Sequence, residues 1–201
     1  LEEKSMALLK ARLNRLSGDV PSDITRAIQR WTRLLDAIPV EEVEPVYRPL
    51  LHQAAVILMK NSVRPHPEEG YGSEMGGHLG TFPARSGYEG FWIWDSAIHT
   101  WGFRHFQSEL ARENIRVMLH HQRADGGLFM LHPDSKCPST QPPLFADAAM
   151  RIHALERNTH PESSRAFLEE IYPRLCRWND WWFAACDPDG NGLAAWPDNL
   201  S

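Results

Sequence analysis

Between residues 90 and 102 the chain reads GFWIWDSAIHTWG, with three tryptophans, one aspartate and one histidine. Flat indole rings beside a carboxylate suit the grip of a hydroxyl-rich ring. A pyranose offers an apolar C–H face on which an indole stacks. Its rim of hydroxyls donates charge-assisted hydrogen bonds to a carboxylate. Trp92, Trp94 and Asp95 supply those groups within one turn. The same residues also suit plainer roles. Asp95 fits a helix N-cap, and an aromatic cluster is more often core than binding surface. A short extended stretch sends successive side chains to opposite sides, so at least one of Trp92 and Trp94 is expected in the core.

Further polar residues fall near this stretch. His99, four residues after Asp95, can share its helical face and steady the carboxylate, or be a satisfied, partly buried imidazole. Gln122, just before ADGG, reads as a pocket hydrogen bonder or as a helix-end residue. Gln141 precedes two prolines at a helix start, where its side chain must point out of the loop end. Phe129 and His132, between the two glutamines, are candidates for the wall on the aglycone side.

Metal chemistry is less well supported. The ten histidines include no HExxH, and no paired CxxC is present. His120 and His121 are adjacent and point apart on a helix. In DPDGNGLAAWPD, the residues Asp187, Asp189, Asn191 and Asp198 match oxygen positions of a calcium loop, and Gly192 follows as that loop requires. The last of these is normally a glutamate, and Pro188 is unusual there. A metal-free turn is the favoured reading. No cofactor is required, and calcium at Asp187, Asp189 and Asn191 is the one candidate.

The elements that must position these groups read as helix after helix. Residues 2 to 16 space Met6, Leu9, Leu13 and Leu16 helically, and Gly18 stops them. Ser22 is the expected N-cap of a second helix with Ile24, Ile28, Trp31 and Leu35 on one face. A third runs from about Pro45 to Asn61 and looks buried on more than one side at AAVILM. Residues 63 to 90, rich in glycine and proline, are a long loop. Helices then follow from Asp95, near its cap, and from Ser108, with Leu110, Ile115, Met118 and Leu119 inward. Two more start at Pro142-Pro143 and near Ser163, the last bent at Pro173. No alternating strand stands out. Paired helices joined alternately by short turns and long loops predict a toroid of helical hairpins, with the long loops gathered at one end.

Composition sets the outer limits. At 201 residues, 42% hydrophobic, the chain can fill one core. Its 21 basic and 26 acidic side chains, net −5, form no long runs, so neither a nucleic-acid face nor a polybasic membrane patch is expected. Apolar runs are too short to span a bilayer. Three cysteines are too few for a disulfide framework. The first residues, LEEKSM, show neither an initiator methionine nor a signal-peptide pattern. The expectation is a cytoplasmic protein seen as a fragment.

Four blocks in order, FWIWDSAIHTWGF, HHQRADGGLFMLHP, QPPLFADAAM and FLEEIYPRLCRWNDWWFAACDPDGNGL, resemble the first half of the catalytic domain of glycoside hydrolase family 63. Its relatives include mannosylglycerate and glucosylglycerate hydrolases and processing alpha-glucosidases. The resemblance implies an all-α (α/α)6 barrel with a sugar pocket at its mouth. Residues 1–40 would be N-terminal helices or linker and residues 41–201 the first half of the barrel, its C-terminal half missing. It also implies that Tyr88, Trp92, Trp94 and Asp95 line the non-reducing sugar subsite, and that Gln141 contacts the sugar. His99 and Gln122 complete the expected substrate-binding set, and some relatives bind calcium at the turn matching Asp187.

Inverting glycosidases need a proton-donating acid and a separate water-activating carboxylate, about 6.5–9.5 Å apart. In the family the acid lies in a block like SGxDNSP just after the DPDGNGL turn, and the base far downstream. Asp198-Asn199 lacks the preceding Ser-Gly, so no catalytic carboxylate is assigned in this chain; both are expected beyond Ser201. The function expected is an inverting glycoside hydrolase acting on an alpha-linked glucoside or mannoside, with a small sugar or glycoside as partner. The alternatives are a non-catalytic carbohydrate-binding or scaffold protein, or a trehalase-like or epimerase toroid enzyme.

Overall fold

A computed structural model describes residues 20–64, 75–132 and 139–195. The expected helix over residues 2 to 16 lies outside them, as does Asp198. The described residues are mostly helical, with four short strand pieces. Helix α1 spans Val20–Asp36. Single 3-10 turns at Val40–Glu42 and Pro45–Tyr47 lead into α2, Arg48–Asn61. Then come α3 (Ile93–Phe103), α4 (Ser108–His120), α5 (Phe145–Glu156) and α6 (Pro161–Cys186).

The helices α3 and α4 form one hairpin, closed by residues 104–107, and α5 and α6 form a second, closed by residues 157–160. Two hairpins with short turns at one end must send their long connections out at the other. The segments before α3, between α4 and α5, and after α6 therefore emerge together. Two antiparallel ladders tie them down. Ser62–Val63 (β1) pairs with Gly80–Thr81 (β2), and Phe91–Trp92 (β3) pairs with Leu131–His132 (β4). These strands are two residues long, too short for any alternation to show in the sequence.

One cluster forms the core. It takes Phe91 and Ile93 from the approach to α3, Phe103 from its end, Ile115 and Met118 from α4, Phe145 and Ile152 from α5, and Trp178 from α6. Each such side chain contributes about 1.5–3 kcal/mol by leaving water. Helix α6 buries Phe167, Ile171, Trp178 and Trp182, positions that recur at helical spacing on one face. It runs unbroken from Pro161, with Pro173 inside it.

Several expectations change. The helix enclosed on several sides is α4, in which Leu110, Ala111, Asn114, Ile115, Val117, Met118 and Leu119 are buried. In α2 Ala55 is the buried residue, while Leu50 and Ile57 are exposed. Uniform apolarity in α2 marks a helix that leaves part of its face uncovered here. Ile24 and Ile28 of α1 are likewise exposed, and the buried positions are Leu34 and Ile38 near its end. Ser22 lies inside α1, where its hydroxyl accepts from Arg26 Nη1 at 2.9 Å. The residue capping α4 is Gln107, not Ser108. Pro142 and Pro143 precede α5 and do not form its first turn.

An ionic network joins α4 of the first hairpin to the second hairpin. The Arg112 guanidinium bonds to the Glu156 carboxylate and donates to Ser163 Oγ at 2.8 Å. Arg116 reaches Glu109, Glu113 and Glu170. Both guanidiniums lie over the Phe167 ring, at 5.4 and 5.2 Å, an arrangement worth about 0.5–2 kcal/mol per contact.

Candidate sugar-binding site at the start of helix α3

The chain enters α3 in extended form, and period two settles its side chains. Phe91 and Ile93 point into the core, 1% and 0% exposed, and the intervening residues point out. Trp94 is 45% exposed, and Trp92 is half-buried. The expectation that one of these tryptophans is core is therefore corrected: residues two apart share a side, and the buried side belongs to Phe91 and Ile93. Gly90 makes the entry possible. Its φ is +108°, and a Cβ there would sit 2.5 Å from Leu131 Cδ1 and 2.9 Å from the His132 carbonyl oxygen.

Three of the candidate residues assemble on the outward side with Asp95. The Tyr88 ring lies 5.9 Å from that of Trp92, tilted by 58°. Asp95 is the third residue of α3, within its first turn, and the N-cap position is Trp92, which makes no side-chain cap. Its own backbone N–H and the Trp94 side chain favour the charged form of Asp95, yet partial burial outweighs them, and the carboxyl is pushed above its ordinary range. The outcome is an apolar ring surface with one partly desolvated acceptor at its edge.

The remaining candidates separate. Gln141 is buried and its Oε1 accepts the backbone N–H of Trp94 at 3.1 Å. It stands beneath the wall. Burial drives the His99 pKa down to about 4, while the Thr81 backbone carbonyl of strand β2 pulls it slightly back. Gln122 is committed elsewhere: its Nε2 donates to the Gly126 and Arg174 carbonyls and its Oε1 accepts from Arg177. Those bonds pin the 122–127 turn to α6.

His132 is 4% exposed, too deep for the aglycone wall expected of it. Phe129 is half-buried with the Arg123 guanidinium 4.7 Å above its ring.

In the 187–193 turn, Asp187 accepts from the backbone of Asn191 and Gly192, at 3.0 and 2.8 Å. The Asn191 side chain donates to Asp189 and accepts from the Leu193 N–H. The donor oxygens expected for calcium thus close the turn on itself. Among the described residues no group of three or more His, Cys, Asp or Glu is arranged to hold a metal. No helix among them is long and apolar enough to cross a membrane.

Sequence reasoning missed the Arg112–Glu156 pair and the support beneath α3, because both join residues more than forty positions apart. An apolar groove of about 520 Å³ between α5 and α6, lined by Met150, Ile171, Tyr172 and Leu175, was also not foreseen. None of the candidate sugar residues lines it.

Comparison with known proteins bears on this arrangement. The chain is 28% identical over 143 residues to two mannosylglycerate hydrolases of Selaginella moellendorffii, MGH2 and MGH1. The match covers 61% of this chain and 28% of each relative, so the chain spans well under half of their length. A GH63 mannosylglycerate hydrolase from Thermus thermophilus, solved with glucose and also with Tris, superposes with a TM-score of 0.57. There the identity is 23–24%, covering 73% of this chain and 36% of that one, a likeness of fold. The fold is that of an (α/α) toroid, of which the described helices form a part. The profile of the mannosylglycerate hydrolase MGH1-like glycoside hydrolase domain matches residues 88–200, more than half of the chain and all of the α3 wall, and the chain belongs to that glycoside hydrolase family.

Proposed function

We propose that this chain forms the sugar-holding wall of an inverting glycoside hydrolase that acts on an alpha-linked mannoside or glucoside. The observation that carries the reading is the exposed Trp94 ring next to the partly buried Asp95 carboxylate in the first turn of α3, with the Tyr88 and Trp92 rings packed together before it. Indole faces suit the C–H face of a pyranose and the carboxylate its hydroxyls. The relatives named as mannosylglycerate hydrolases, and the glucose held by the Thermus thermophilus enzyme, favour these two sugars.

Asp95 is read as a clamp on hydroxyls. Its raised pKa would also serve a proton donor, and the two roles respond differently to the leaving group. In the protein that carries this chain, Asp95→Asn is expected to lower kcat/KM equally on glycosides with good and poor leaving groups, because a neutral amide accepts hydroxyl protons less strongly. Near-normal turnover restored by an activated glycoside would make Asp95 the acid and overturn the assignment. Proton NMR of the first-formed anomer from mannosylglycerate and glucosylglycerate tests inversion: retention of the alpha configuration would refute it.

A further inference from the structure

A helix begins with N–H groups that have no partner inside it, and α3 satisfies its first two in an unusual way. No side chain at its N-cap residue serves them. The Ile93 N–H donates to the Met130 carbonyl at 3.2 Å, and the Trp94 N–H donates to Gln141 Oε1 at 3.1 Å. Both acceptors come from the connection between α4 and α5, Gln141 standing 47 positions downstream of Trp94. That connection is itself knit together, since the Met130 N–H donates to the Ser139 carbonyl at 2.7 Å.

We infer that Gln141 is a positioning residue, a long-range cap whose amide oxygen fixes the first turn of α3 and so sets where Trp94 and Asp95 stand. The side chain is 6% exposed, and its oxygen is committed to the helix. Losing the acceptor would leave the Trp94 N–H without its protein partner and free the turn to shift. A carboxylate in its place would keep an acceptor at a helix N-terminus, where negative charge is favoured. This inference rests on the sugar-wall reading only for its effect on binding; the cap itself stands on the hydrogen bonds.

Two readouts on the protein carrying this chain test it: amide hydrogen exchange at Trp94, and quenching of tryptophan emission by glucose and by mannose. Gln141→Leu is expected to speed exchange at Trp94 roughly ten-fold while Ile93 keeps its protection, and to weaken sugar binding by about the same factor. Gln141→Glu is expected to restore the Trp94 protection. Unchanged exchange at Trp94 in Gln141→Leu would overturn the cap. Exchange accelerated with sugar affinity intact would overturn the positioning role. A separate arm checks the wall: if Asp95→Asn and Trp94→Ala bind sugar like the wild type, the wall reading fails, whatever happens at the Trp94 amide.

Discussion

His121 and His132 stack face to face, 4.7 Å between ring centroids and 16° between planes, with the Nε2 of each ring buried and without a hydrogen-bond partner among the described residues. His121 follows the last residue of α4, and His132 pairs with Phe91 beside the tryptophan wall, so the stack joins a helix end to the β3–β4 ladder. Burial pushes His121 down to about 4 and His132 to about 3; the His120 imidazole pushes His121 further the same way and His121 does so to His132, while the Phe129 carbonyl pulls His132 slightly back.

That stack predicts acid sensitivity. Between about pH 6.5 and these lowered values the unfolded chain binds protons that the folded one refuses. Stability is therefore complete above the unfolded value and falls as pH drops through that window, by up to about 1.4 kcal/mol per pH unit for the buried His132 and by less for the partly exposed His121. Urea unfolding between pH 7 and pH 4 measures it. His132→Phe is expected to flatten the slope by about one proton, and an unaltered slope would show that the stack does not govern acid stability.

The Arg112–Glu156 pair, both side chains about nine-tenths buried, predicts an asymmetry between single and double replacements. Glu156→Leu alone leaves a buried guanidinium short of its carboxylate and is expected to cost about 3–5 kcal/mol. Arg112→Met together with Glu156→Leu should recover much of that loss. Additive costs in the unfolding cycle would show the two residues to be uncoupled.

Gly126 adopts φ +97°, and a Cβ there would meet the Arg177 carbonyl oxygen at 2.5 Å. Gly126→Ala is expected to destabilise by more than about 1 kcal/mol, since the alanine faces both an unfavourable backbone conformation and a backbone clash. Thermal unfolding checks it. The same change should loosen the turn that Gln122 holds against α6, visible as faster exchange at the Gly126 amide, which donates to the Arg123 carbonyl.

Alternation across residues 91–94 predicts that neighbours fail in different ways. Ile93→Ala, at a fully buried position, is expected to cost about 2–5 kcal/mol of stability. Trp94→Ala, at an exposed one, should leave the melting temperature within a few degrees and abolish most of the sugar-dependent fluorescence change. A melting loss for Trp94→Ala as large as that for Ile93→Ala would place Trp94 in the core after all.

Local pattern was enough for much of this protein. Helical spacing in residues 108–120 and 161–186 announced α4 and α6, because a helix that buries one stripe must repeat its apolar residues at that spacing. The rings around Asp95 were legible as a candidate sugar surface from residue type alone. Tertiary structure decided what each did. It tied the Gln141 amide oxygen to the Trp94 backbone, and bound Gln122 to α6. It also sent His99 toward Thr81 and buried His132 against His121. Whether a polar side chain meets a ligand or a backbone group depends on segments dozens of residues away that close over it. No periodicity along the chain records that meeting, whereas the apolar repeat that builds each helix is written within a single turn.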